Sequence, residues 1–148
     1  MRCGILLVTH PGLGNALLQV VRQLLGPAPL PLHCRCLEVD YHGDPLAALP
    51  VALDAMNALD SGAGVLVLTD LYGASPSNLA SRLQLLHQHC RRVSGLNLPM
   101  LMRVMNYPHL ALDELTAVAA RAPHETAAVR VRDLKRAARH ASDITRPR

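Results

Sequence analysis

The sequence contains no tryptophan, no phenylalanine and only three tyrosines. Without aromatic side chains it lacks the stacking platforms that hold single-stranded nucleic acids. No apolar run approaches the ~20 residues needed to span a bilayer. The opening "MRCGILLVTH" lacks the charged-then-apolar order of a secretory leader, so the expectation is a soluble, cytoplasmic protein without direct membrane insertion. C-x-x-C spacing is missing too. Cys3, Cys34, Cys36 and Cys90 are scattered over predicted strands, with one C-x-C pair, and read as reduced thiols rather than a zinc site or a disulfide framework. There is no GxxxxGK[ST] loop, so nucleotide hydrolysis is not indicated. No metal and no cofactor is expected. No internal repeat or low-complexity block is visible.

What is present is a chain of 148 residues that is 50% hydrophobic, enough for one globular domain with a sizeable core. Its net charge of +4 is unevenly placed. Residues 130–148 hold seven Lys or Arg against two Asp, a net +5, whereas residues 1–129 hold eight against nine acidic residues, a net −1. The body is nearly neutral and the basic charge sits at the C-terminus. No nucleic-acid partner is expected; a binder using the basic tail would lose affinity steeply with salt. The division expected is a domain over 1–135 and a basic tail over 136–148, which has no apolar period with which to order itself.

Apolar runs alternate with helical patterns. "CGILLVT" (3–9) and "AGVLVLTD" (63–70) read as strands buried on both faces. "HCRCLEVDY" (33–41) alternates and reads as a strand nearer an edge. "RRVSGLNL" (91–98) predicts a short strand, and "TAAVRVRDL" (126–134) a last one. Helices are expected from Asn15, as N-cap, to about Leu25, and over 45–59 with Pro50 delaying the start. A further helix is expected over 75–90, with Ser75 as N-cap and Pro76 at the first helical position. Two more are read in "PMLMRVMNY" and "LDELTAVAARA", separated by Pro108. Such alternation predicts an α/β fold, a doubly wound and mostly parallel sheet covered on both faces.

Each buried strand ends in polar residues. The first ends in Thr9-His10, and Pro11 keeps His10 out of helical geometry. The third ends in "TDLYGASPSN", offering Asp70, Tyr72, Gly73 and Ser75. In a sheet of order 2-1-3-4 these two strands are neighbours, and His10 and Asp70 face each other at a switch point, where such sheets bind ligands. A carboxylate beside an imidazole fixes its tautomer and leaves the other nitrogen free as nucleophile or base. The turn Gly73-Ala74-Ser75 leads into a helix whose unpaired N–H groups favour a phosphate. A nucleophilic histidine, an orienting carboxylate and an anion cradle suggest phosphoryl transfer. Taken singly, His10 is an ordinary loop residue, Asp70 a turn residue and "SPSN" a good cap, and spacing alone leaves both readings standing. No role is assigned to the other histidines: His87, His89, His124 and His140 read as surface residues, His33 and His42 flank the second strand without companions, and His109 reads as the start of a helix.

"VTHPGLGNALL", "VLVLTDLYGASPSNLAS" and "VSGLNLPMLMRVM" resemble, in order, the signature blocks of the mannose-type EIIA domain of the bacterial phosphotransferase system. The blocks span most of residues 3–106. The resemblance implies that His10 is phosphorylated, that Asp70 is its carboxylate partner and that Ser75 supplies a hydroxyl near the phosphoryl group, with Gly73 and Ala74 in the cradle. It implies phospho-HPr as donor, an EIIB protein as acceptor during sugar uptake, and a homodimer in which a C-terminal antiparallel edge strand is exchanged. The alternative is a regulatory module whose phosphorylation state is read by a partner without onward transfer. A related phosphocarrier subunit of dihydroxyacetone kinase shares the fold, but the Asp-x-x-Gly-x-Ser-Pro-x-Asn block favours the mannose-type group. The chain departs from the pattern at Pro11, often Gly, and at Ala74 and Ser77, where Gly and Phe are usual. The missing Phe is expected to remove a small apolar patch that bears on partner choice.

One outcome is expected from the charge distribution together with the resemblance. A chain ending at Lys135 should accept phosphate from HPr nearly as fast as the whole chain. A rate loss beyond about tenfold, some 1.4 kcal/mol, would place the tail in the docking surface.

Overall fold

The computed structural model describes residues 1–121; the strand expected over 126–134 and the basic tail lie outside them. Two strands form its centre because both are apolar along their whole length. β1 (Gly4–Thr9) and β3 (Val65–Thr69) are buried at every position. Successive side chains of a strand point to opposite faces, so a continuous apolar run feeds two cores at once. Ile5 and Leu7, with Leu66 and Leu68, pack against α1 (Gly14–Leu25), α4 (Leu98–Met105) and α5 (Leu112–Ala119). Leu6 and Val8, with Val65 and Val67, pack against α2 (Leu49–Leu59) and α3 (Ser75–Leu86).

β2 (Cys34–Glu38) and β4 (Cys90–Ser94) flank this pair, giving the order β2-β1-β3-β4 with every pairing parallel. The α/β class and the 2-1-3-4 order are those expected from the sequence. β2 is only partly covered, as befits an edge. The register sets Val8 beside Thr69, so the chain leaves β1 at Thr9 and His10 just where it leaves β3 at Asp70.

Several boundaries differ from the sequence reading. α1 is not capped by Asn15, which lies within its first turn; the cap position is Leu13, whose side chain makes no cap bond. The hydroxyl of buried Thr9 serves instead, accepting the Gly14 N–H at 2.9 Å. α3 ends at Leu86 rather than residue 90, because His87 turns extended and the chain must reach β4 by Cys90. Ser75 is its first residue and not its cap: Ala74 holds that position, in extended geometry and with no side-chain bond. The expected helix over 45–59 opens as a 3-10 turn (Pro45–Ala48), capped by Asp44 accepting the Leu46 N–H at 2.9 Å, before α2 begins with Pro50 in its first turn. The fourth strand stops at Ser94, since Gly95 adopts a positive φ of 87° and Asn97 caps α4 by accepting the Met100 N–H at 2.9 Å. His109 lies in the turn between α4 and α5 and starts no helix.

α1 meets the sheet through a glycine. A Cβ at Gly14 would stand against Sγ of Cys36 and 2.7 Å from Oγ1 of Thr9. Gly14→Ala should therefore destabilise the protein by about 1–3 kcal/mol, the usual effect of overpacking. An unchanged urea midpoint would show that this approach is looser than described.

Candidate functional site

Asp70 joins the ends of the two central strands. Its Oδ2 accepts the backbone N–H of His10 at 2.8 Å and lies 2.7 Å from Nδ1 of the His10 ring. Its Oδ1 accepts the N–H of Leu71 at 2.9 Å. Partial burial pushes the Asp70 carboxyl up, but the His10 backbone N–H, the His10 ring and the Leu71 N–H outweigh it and hold the carboxyl below its ordinary value. The group is therefore an anion at neutral pH. Against a carboxylate, Nδ1 must carry the proton, and Nε2 is left as the acceptor nitrogen. Among the described residues nothing hydrogen-bonds Nε2, and the His10 side chain is 23% exposed.

Two further side chains brace the loop that carries His10. Thr9 donates its hydroxyl to the His10 carbonyl at 2.9 Å while accepting the Gly14 N–H, tying strand end to helix start. Glu38, at the end of β2, accepts the N–H of Gly12 and the side-chain amide of Asn15. Neither Thr9 nor Glu38 was singled out from the sequence. The adjoining strand end is fixed in the same manner, by Thr69 Oγ1 at 2.8 Å from Ser94 Oγ and by Leu96 donating to the Thr69 carbonyl at 2.9 Å.

On the other side of Asp70 the chain runs through Leu71, Tyr72 and Gly73 into α3. Gly73 takes a φ of 83° with open space around its Cα, and Ala74 is extended. Ser75 is the first helical residue and Pro76 follows it. The first N–H groups of a helix have no intrahelical acceptor, so Gly73, Ala74 and Ser75 lie at the positive end of α3. Position 77 differs from expectation. Ser77 is 2% exposed, so it packs inward and is not part of an outer patch.

Exposed apolar side chains nevertheless surround the site. Leu71 and Tyr72 from the loop after β3 are 61% and 77% exposed, and Leu13 and Tyr41 are also open to solvent. Tyr41 was missed by the sequence reading. It lies beyond β2, and its ring stacks on that of His10 with centroids 5.2 Å apart and planes 22° apart.

Two cysteines of β2 are titratable as well, Cys36 lying against Thr9 beneath the His10 loop. Burial pushes the thiol of Cys34 up to about 12 and that of Cys36 to about 11; such thiols stay protonated and poorly nucleophilic at neutral pH. His87, expected at the surface, is instead half-buried, with Nε2 3.4 Å from Oδ2 of Asp60 at the opposite end of the sheet. Among the described residues no cluster of His, Cys, Asp or Glu is arranged to hold a metal ion, and no helix is long and apolar enough to cross a membrane.

A family described as the PTS system fructose IIA component, EIIA-man, matches residues 4–121. The chain belongs to that family. It is 44% identical over 52 residues to Escherichia coli (strain K12) YadI, provisionally named a phosphotransferase enzyme IIA component; the match covers 35% of this chain and 36% of YadI. It is 38% identical over 69 residues to the PTS system mannose-specific EIIAB component of the same strain, covering 45% of this chain and 21% of that protein. The matches thus span about a third or less of these relatives' lengths. The mannose/sorbose specific IIA subunit of the phosphotransferase system from Enterococcus faecalis has the same fold, with a TM-score of 0.70 at 25% identity over 88% of this chain and 95% of that one.

The carboxylate of this IIA component makes its stability depend on pH. A group whose value is lowered in the fold stabilises it above the unfolded value, 3.8 for Asp70, and that contribution is lost as pH falls through the folded value. The stability gap between wild type and Asp70→Asn should therefore stay level at neutral pH and shrink as pH falls below 3.8 and through the folded value. A gap that is constant across this range in urea titrations would contradict the assignment.

Proposed function

We propose that the protein is a phosphoryl carrier that accepts a phosphoryl group from phospho-HPr on Nε2 of His10 and passes it to an EIIB protein during sugar uptake. The observation that carries this reading is the double contact of Asp70 with the His10 main chain and Nδ1, which leaves Nε2 as the ring's available nucleophile. In the step, the Nε2 lone pair forms the new N–P bond while the donor's N–P bond breaks and its electron pair returns to the donor imidazole. The Nδ1 proton stays toward Asp70. The His10 ring thereby gains a positive charge beside a fixed carboxylate, which stabilises the charge as it develops. Gly73 and Ser75 bind the phosphoryl oxygens through backbone N–H groups at the start of α3 and through the Ser75 hydroxyl, with Ala74 between them shaping the cradle while its N–H is donated to the Leu71 carbonyl at 3.4 Å. No metal or organic cofactor takes part in this reading.

The apolar side chains exposed on three loops around His10, namely Leu13, Tyr41, Leu71 and Tyr72, suit a surface that docks protein donors and acceptors, since aromatic side chains are enriched at interface cores. A homodimer, with its C-terminal strand exchanged, and a cytoplasmic location belong to the same proposal.

Incubation with phosphoenolpyruvate, enzyme I and HPr should label His10 alone, with an acid-labile, base-stable group. His10→Ala should abolish labelling while folding survives. Asp70→Asn should slow transfer roughly a hundredfold, because an amide can touch the ring but not stabilise its charge. Ser75→Ala should slow it by roughly two- to tenfold, the net worth of one hydrogen bond. Label on another histidine, or full transfer by His10→Ala, would sink the proposal.

A further inference from the structure

We infer that Tyr41 is a positioning residue for His10: its ring covers one face of the imidazole and favours the charged, phosphorylated form. This rests on His10 being the phosphoryl acceptor. The two rings are nearly parallel, 22° apart with centroids at 5.2 Å, which is an offset stack. The lone pair of Nε2 lies in the plane of its ring. A neighbour stacked above that plane leaves the in-plane approach to Nε2 open while it opposes rotation of the ring away from Asp70.

The position of Tyr41 is built rather than incidental. Before it, Val39 is buried and donates its N–H to the Thr9 carbonyl at 2.8 Å, next to His10 itself. After it, Asp44 caps the Pro45–Ala48 turn. The short loop between these anchors holds Tyr41 over His10 although the tyrosine is 64% exposed. An exposed aromatic side chain contributes little to a core, so burial does not explain its placement. Among the described residues the Tyr41 hydroxyl makes no hydrogen bond, so the ring face is the interacting part.

The charged groups around His10 define what that face adds. Asp70 meets the ring edge at Nδ1, Glu38 is engaged with Gly12 and Asn15, and His42 lies beyond Tyr41 with ring centroids 6.4 Å apart. When Nε2 binds phosphorus with Nδ1 still protonated, the imidazole is cationic, and the electron-rich face of Tyr41 attracts it. Cleavage of the N–P bond returns the bonding pair to the ring and discharges it. A contact that favours the charge therefore slows the loss of phosphate to water.

Two measurements on the full chain test this without HPr. First, the proton signals of the unphosphorylated His10 ring should move downfield in Tyr41→Leu, when the ring current above them is lost, and stay close to wild type in Tyr41→Phe. Second, after chemical phosphorylation with phosphoramidate, the phosphohistidine of Tyr41→Leu should hydrolyse roughly two- to fivefold faster than wild type, the worth of an exposed cation–π contact, with Tyr41→Phe restoring the wild-type half-life. Unmoved ring signals, or a half-life that is unchanged in Tyr41→Leu, would overturn the role of Tyr41 while leaving His10 as carrier. Failure of phosphoramidate to label His10 in wild type would overturn both readings.

Discussion

The site depends on one carboxylate that makes three contacts. Asp70 holds the main chain and the ring of His10 with one oxygen and its own loop with the other. A single ion pair on a solvated edge contributes little to stability, and its importance here is directional. The backbone contact fixes where residue 10 sits, and the ring contact fixes how the imidazole is turned. Because both use the same oxygen, the loop and the ring cannot move independently. In the proposed carrier reaction, the anion that orients the neutral ring would also be the counter-charge for the phosphorylated one.

That carboxylate can act only because β1 and β3 are parallel neighbours in a fixed register. A one-residue slip of either strand would turn Ile5 and Leu7, or Leu66 and Leu68, from one core to the other. Both cores are filled, by α1, α4 and α5 on one face and by α2 and α3 on the other, so packing holds the register that places His10 opposite Asp70. The polar residues at the strand ends then act in pairs. Thr9 and Thr69 are both buried, and each gives its carbonyl to the loop leaving a flanking strand, Thr9 to Val39 and Thr69 to Leu96. The stability of the sheet is in this way passed to the loops that form the site.

What was legible in the sequence follows from this division. Continuous apolar runs announce strands covered on both faces, and a histidine and an aspartate at the ends of two such runs announce a shared edge. Helix ends were less legible, because the groups that satisfy them come from elsewhere. Asn15 carries the local signature of a cap, yet the helix begins before it at Gly14, whose N–H is held by Thr9 across a turn. His87 reads as a surface histidine on a polar helix end, and only the meeting of α2 and α3 gives it Asp60 as a partner. Tyr41 could not be read at all, since its stack on His10 depends on the contact between Val39 and Thr9, a relation between loops separated by a whole helix.

The departures of this chain from its family's usual pattern can be weighed in the same physical terms. Of the two residues between Tyr72 and Ser75, only one needs the freedom of glycine. Gly73 has a φ of 83°, in the left-handed region that a side chain disfavours, and glycine is retained there. Ala74 has φ −81° and ψ 173°, an extended geometry that any residue adopts, so its methyl costs no backbone strain and the path into α3 is unchanged. At position 77 the side chain faces inward, so replacing a large ring by serine alters packing beneath the loop rather than the surface a partner meets. The outward apolar character falls instead to Leu71, Tyr72 and Tyr41. The substitutions at 74 and 77 thus leave the backbone path into α3 without strain, and under the proposed function a change in partner preference would arise at the exposed loops.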